Sequence, residues 1–173
     1  MNSTLLFDIE STGLLRRGSR IHCIVARDMQ SPDDAMVYDH REDQTLEMGI
    51  DQLRNSHALI GHNIISYDIP LIKEQYNFDF QGELIDTLVL SRLFYPNIKD
   101  KDFERKPSGM PAKLYGSHSL KAWGFRLRCY KGDFGETNDW ATYTPEMLDY
   151  CIQDTQVTVK LFELMLRRMK DYE

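Results

Sequence analysis

Leu5-Leu6-Phe7-Asp8-Ile9-Glu10 is the stretch whose reading decides the fold. Leu5, Leu6, Phe7 and Ile9 form a run too short and too apolar for a surface helix, which predicts a strand buried on both faces. Side chains alternate across a strand, so Asp8 and Glu10 project from one face, roughly 7 Å apart along the chain. Bare carboxylates beside a core repel each other and cost desolvation energy, so they persist with a cation between them or with shifted pKa values. Taken alone, the pair also fits a strand that runs out into solvent and ends in ordinary surface acids.

Working outward, Ser11-Thr12-Gly13 reads as a turn. Leu14-Leu15 is then an apolar pair that either joins the core or stays partly exposed beside the acids. The spacing predicts a second strand over Arg20–Arg27 and a third over Ala35–Tyr38, with Ser31-Pro32-Asp33-Asp34 between them. Glu42–Arg54 has helical spacing, with Leu46, Ile50 and Leu53 on one stripe. His57–Gly61 is a fourth strand. It leads to a helix that ends near Tyr76, with Ser66 as its expected cap, Pro70 in its first turn and Asp68 close to its start. His57 and His62 are too poorly supported by neighbouring cysteines or histidines to make a zinc site. Asp86 is the expected cap of a helix over Leu88–Leu93. A loop is expected to open the stretch after Lys99, a short helix to cover Ser117–Trp123, and Gly132–Asp139 to be polar and turn-rich. The clearest helix starts at Thr144-Pro145-Glu146 and runs to about Lys170, with Arg167, Arg168 and Lys170 at its C-terminal end. Tyr150 and Asp154 lie four apart on its inward face, beside Cys151, Leu161 and Met165.

Composition limits the function classes. The 173 residues are 42% hydrophobic and 28% charged, as expected of one globular domain spanning 1–173 that needs no staples. No apolar run is long enough for a membrane span and the N-terminus lacks a signal core, so no membrane partner is expected. Cys23, Cys129 and Cys151 are odd in number and far apart, which suits reduced thiols in the cytoplasm. The total charge of −6 is uneven. Lys99–Lys131 carries nine basic residues against three acids, a net of +6, which leaves −12 on the rest. Such a segment either holds a phosphate backbone or is a solvated loop.

Asp8, Glu10, Asp68 and Asp154 come from three separate elements, and each is awkward as a purely structural residue. Together they suit two divalent cations, and carboxylate oxygens select Mg²⁺ or Mn²⁺ over zinc. Two such ions about 4 Å apart serve phosphodiester hydrolysis. With a phenol pKa near 10, Tyr150 would be phenolate in about one molecule in a thousand at pH 7, roughly 4 kcal/mol uphill. Its role is therefore to orient water and phosphate.

Phe7-Asp8-Ile9-Glu10, Asn63-x-x-x-Tyr67-Asp68 and Tyr150-x-x-x-Asp154 together resemble the three motifs of the DEDD 3′→5′ exonucleases, in the subclass with tyrosine in the last motif. Ile85–Leu93 and Gly116–Gly124 are similar to the proofreading domain of family A replicative DNA polymerases of short-tailed phages. The resemblance implies an α/β, ribonuclease H-like fold, a mixed five-stranded sheet flanked by helices with the acids at the end of its central strand. It also implies that Asp8, Glu10, Asp68 and Asp154 hold the metals and that Tyr150 positions the water. Leu14 matches the residue that wedges against the terminal base, and Asn63 and Tyr67 match residues along the strand's path. Single-stranded or frayed DNA 3′ ends are the implied partner, together with a DNA polymerase or other replication protein, and the implied products are nucleoside 5′-monophosphates. If phage-encoded, the chain would work in the host cytoplasm. It ends at Glu173, soon after the last motif, as a stand-alone exonuclease or an excised module would. An RNA-trimming exonuclease and a non-catalytic nucleic-acid or polymerase-binding module are the alternatives, and the complete set of acids speaks against the second.

Overall fold

The computed structural model describes residues 3–13, 18–130 and 139–170. Its centre is β1 (Thr4–Ser11), in which Leu5, Leu6, Phe7 and Ile9 are almost wholly buried. It pairs antiparallel with β2 (Ile21–Asp28), which in turn pairs antiparallel with β3 (Met36–Tyr38). On its other edge β1 runs parallel to β6 (Ala58–Gly61), and β6 runs parallel to β7 (Glu83–Asp86). The sheet order is therefore β3-β2-β1-β6-β7, the mixed five-stranded sheet that the resemblance implies. Between β3 and β6 lie a small hairpin, β4 (His40–Arg41) with β5 (Gln44–Thr45), and the helix α1 (Leu46–Arg54).

Strand alternation divides the core into two layers. Leu5, Phe7 and Ile9 face α1 and α2 (Asp68–Tyr76), where Leu46, Ile50, Leu53, Leu71 and Ile72 meet them. Leu6, with Ile60, faces Val159 and Phe162 of the long C-terminal helix α6 (Pro145–Lys170), and Val25 and Cys23 pack on Cys151 of the same helix. Thr144 caps α6 by accepting from the Met147 amide, and Pro145 sits at its first position. Three further helices, α3 (Thr87–Phe94), α4 (Ile98–Arg105) and α5 (Leu120–Arg126), build a satellite core of Ile98, Trp123 and Cys129 against Val157, Leu161 and Met165 of α6. Among the described residues no helix is long and apolar enough to cross a membrane.

Three local expectations are corrected and one element is added. The helix expected from Glu42 starts at Leu46, because Gln44 and Thr45 are taken up in pairing with His40 and Arg41, and Thr45 becomes the cap. Ser66 does not cap α2. It lies inside a turn in which Asn63 accepts from the Ser66 and Tyr67 amides, and Tyr67 occupies the cap position. The stretch after Lys99 does not open as a loop, since Ile98–Arg105 is helical and stops where Lys106 turns left-handed. Its one buried acid, Asp102, accepts two bonds from Arg126 and one from the Gly116 amide, which removes both charges from the basic surface. Strand β7 is an addition, for direct reading placed only a helix start near Asp86.

Gly61 ends β6 where the sheet approaches the acids. A Cβ there would stand 2.2 Å from Ile64 Cγ2 and 2.9 Å from the Phe7 carbonyl oxygen, and the latter is backbone of β1 that cannot yield. Gly61→Ala is expected to cost about 1–3 kcal/mol in urea denaturation. A variant as stable as the parent would show that β6 can move away from β1.

Candidate active site

Because Leu6 points at α6, Asp8 and Glu10 must point there too, in the same row of β1. Opposite them α6 presents Tyr150, Cys151 and Asp154, while Asp68 arrives from the start of α2. Asp8, Glu10, Ser11, Gly13, His62, Asn63, Tyr67, Asp68, Trp140, Tyr150 and Asp154 all line one cleft of about 420 Å³. The structure thus brings together every sequence-predicted site residue except Leu14, which lies outside the described residues.

The carboxylates are crowded and dry. Glu10 and Asp68 are buried, and one oxygen of Asp68, Oδ1, is buried without any hydrogen-bond partner. Ligand atoms of Asp8, Glu10 and Cys151 lie within 4.8 Å of one another. Two charges at that spacing repel by about 3 kcal/mol at an effective dielectric of about 20. Burial and then the neighbouring Asp68 push Asp8 well above the usual carboxylate range, despite lowering bonds from Cys151 and the Ile9 amide. Burial, then Asp8 and Asp154, do the same to Glu10, and burial followed by Asp8 does so to Asp154. Burial pushes Asp68 up to about 7. Burial, then the charges of Asp154, Glu10 and Asp8, raise the Tyr150 phenol far above its ordinary value, so it keeps its proton and donates to Asp154.

This donor set fits a hard divalent cation. It offers several carboxylate oxygens, one with no partner, in a pocket where only positive charge relieves the repulsion. Asp8, Glu10, Asp68 and Asp154 are the residues that would hold it.

Neighbouring groups fix the rim. Tyr67 donates to the Gly13 carbonyl, and its hydroxyl shares a 2.6 Å hydrogen bond with the Ser11 hydroxyl, so it pins the turn that follows β1. The Asp86 carboxylate caps α3 through the Leu88 amide and also accepts from the amides of Asn63 and Ile65. It thereby holds the loop that presents Asn63, whose own φ is +69°. None of the described residues in the basic segment after Lys99 lines the cleft.

Two cleft groups, and a third beside the cleft, escaped sequence reading. Trp140 sets its ring edge-on to Tyr150 with centroids 6.2 Å apart, and no periodic element announces it. His62, considered only for zinc, bonds Thr87 Oγ1 through Nδ1, and burial lowers it to about 4, so it is neutral near pH 7. Cys151 was placed on the inward face of α6 without a chemical role, yet its thiol donates to Asp8 Oδ2 at 3.5 Å.

A family model described as the RNase_H superfamily matches residues 5–166. Over 94% of its length the chain is 35% identical to the DNA-directed DNA polymerases of Enterobacteria phage T3 and Escherichia phage T7. It spans about a quarter (26%) of the length of these curated relatives. The fold is also similar to a solved structure of Brucella melitensis NrnC with bound Mg²⁺, with a TM-score of 0.65 and 18% identity over 99% of this chain and 75% of that one.

The pKa shifts give a signed expectation. A carboxyl raised on folding keeps a proton that the unfolded chain has lost, so in chelator these acids cost more stability as pH rises from about 4 towards 7. His62, lowered to about 4, works the other way between about 4 and 6.5. The gain in Tm from millimolar Mn²⁺ over chelator should therefore be small at pH 5 and grow towards pH 8, as fewer protons must be displaced. Thermal melts at both pH values check this, and a gain that is absent or independent of pH would count against a carboxylate cation site.

Proposed function

The chain belongs to the RNase_H superfamily, and from that premise we propose that it is a metal-dependent 3′→5′ exonuclease domain that removes nucleoside 5′-monophosphates from single-stranded or frayed DNA ends. One observation carries the reading: four carboxylates from β1, α2 and α6 share one cleft with a protonated tyrosine. A structural role would not gather so much like charge in a buried place.

Bound Mg²⁺ or Mn²⁺, two per site, would supply the water activation and charge neutralisation that phosphodiester hydrolysis requires. The chain's own residues do the rest. Asp8, Glu10, Asp68 and Asp154 hold the cations. Tyr150 stays a phenol, so it orients water or a phosphate oxygen as a hydrogen-bond donor and does not abstract a proton. Asn63, Tyr67 and Trp140 border the cleft and offer polar and flat surfaces to an unstacked end, and the resemblance assigns Leu14, outside the described residues, to the wedge against the terminal base. A cleft of about 420 Å³ suits a terminal nucleotide and not a duplex. Support for DNA comes from the T3 and T7 relatives, which are named DNA-directed DNA polymerases, and their matched quarter suits a proofreading role beside a polymerase.

The test is digestion of 5′-labelled DNA and RNA oligomers with Mg²⁺ or Mn²⁺. A ladder shortening from the 3′ end, stronger on DNA, is expected. Asp8→Ala should abolish it with the fold intact. Tyr150→Phe should slow it roughly a hundredfold while keeping the manganese gain in Tm. Binding without cleavage, or release of the label as the first product, would overturn the assignment, and a stronger ladder on RNA would overturn its substrate.

A further inference from the structure

We propose that Cys151 adds a sulfur donor to the acidic cluster, so that Asp8, Glu10 and Cys151 together capture a thiophilic divalent cation of the zinc and cadmium class at the inner wall of the cleft. The proposal rests on the reading of the cleft as a cation site and changes its chemistry, because the donor set is no longer all oxygen.

Among the described residues, the group with metal-ligand spacing is this one, two acids and a thiol within 4.8 Å of one another. Cys151 is fully buried and donates to both the carbonyl and the carboxylate of Asp8, at 3.7 and 3.5 Å. A tetrahedral ion with sulfur at about 2.3 Å and oxygen at about 2.1 Å holds those donors about 3.6 Å apart. The thiol and Asp8 Oδ2 already have that separation. Asp68 Oδ1, buried without a partner in the cleft that Asp8 and Glu10 line, is a further sign of an unmet cation beside these two acids. This site differs from the histidine pair rejected on sequence, for His57 and His62 flank opposite ends of β6.

The helix explains why the thiol is there. Cys151 is one residue beyond Tyr150 and three before Asp154, so it sits deeper on the inward face, where Cys23 packs on it from β2. A buried cysteine is often only a small apolar side chain. Here its polar atom is turned to a carboxylate. Soft sulfur favours zinc-class ions, which also stand above manganese in the general affinity order, while magnesium gains nothing from it. On binding, the sulfur–hydrogen bond breaks, the proton leaves to water and the sulfur pair enters the metal bond, with no redox change.

The test uses the full chain stripped with chelator and titrated with CdCl₂, reading the ultraviolet charge-transfer absorption of a cadmium–thiolate bond. One equivalent of band is expected, and saturating Mn²⁺ should suppress it, a result that needs no variant. Cys151→Ser should abolish the band and weaken cadmium about tenfold or more, while the manganese affinity read from Tm changes less than about twofold. Cys23→Ser and Cys129→Ser should keep it. A manganese gain with no cadmium band, a band that survives Cys151→Ser, or a band untouched by Mn²⁺ would overturn the sulfur ligand and leave the carboxylate site standing. Absence of the manganese gain in the parent protein would remove the cation reading and this proposal with it.

Discussion

Like charge held in a dry place is the constraint on which the rest of this molecule depends. Asp8 and Glu10 occupy the row of β1 that would otherwise continue the apolar contact of Leu6 with α6. The strand cannot turn them outward without also turning out Leu6, since one step of register exchanges the faces. Burying Leu5, Leu6, Phe7 and Ile9 therefore forces the carboxylates together. Apolar burial supplies the free energy, and electrostatic strain is confined to one end of the central strand.

The surroundings of that end are held by polar groups that are themselves buried. Arg27, 2% exposed on β2, donates to Thr155 Oγ1 at 2.8 Å and also reaches the Pro32, Asp33 and Ile152 carbonyls. It fixes the turn of α6 that lies between Tyr150 and Asp154 and the rest of the helix. Asp86 does the same for the loop on the opposite wall through the amides of Asn63 and Ile65, while it caps α3 through that of Leu88. Each is a charged side chain satisfied by several partners, the condition under which a buried polar group sharpens geometry instead of weakening the core.

What could be read in advance follows from how local each signal was. The β1 run, the Leu46-Ile50-Leu53 stripe and the Thr144-Pro145 start of α6 are periodic or adjacent in sequence, so the elements that carry Asp8, Glu10, Tyr150 and Asp154 were legible. Strand β7 was not, because an edge strand of four residues with Glu83 and Leu84 exposed has no apolar run to announce it. Helix α4 is polar on most faces and is followed by Pro107 and Gly109, which read as a loop. The roles of Trp140 and Cys151, and the hold of Asp86 on the Asn63 loop beyond its expected cap, depend on contacts across 10 to 143 positions, and no spacing rule reaches that far. Asp68 was placed correctly beside a helix start although its supposed cap, Ser66, was not the cap.

The separation between Asp8 and Cys151, 143 positions, has a consequence for biosynthesis. β1 is made before α6, and the chain between them must close before the two walls can meet. A nascent polypeptide carrying every residue up to Thr144 has Asp8 and Glu10 but neither Tyr150 nor Asp154. The cleft therefore lacks one wall throughout synthesis of the first 144 residues and closes only when α6 has been made and docks on β1 and β2.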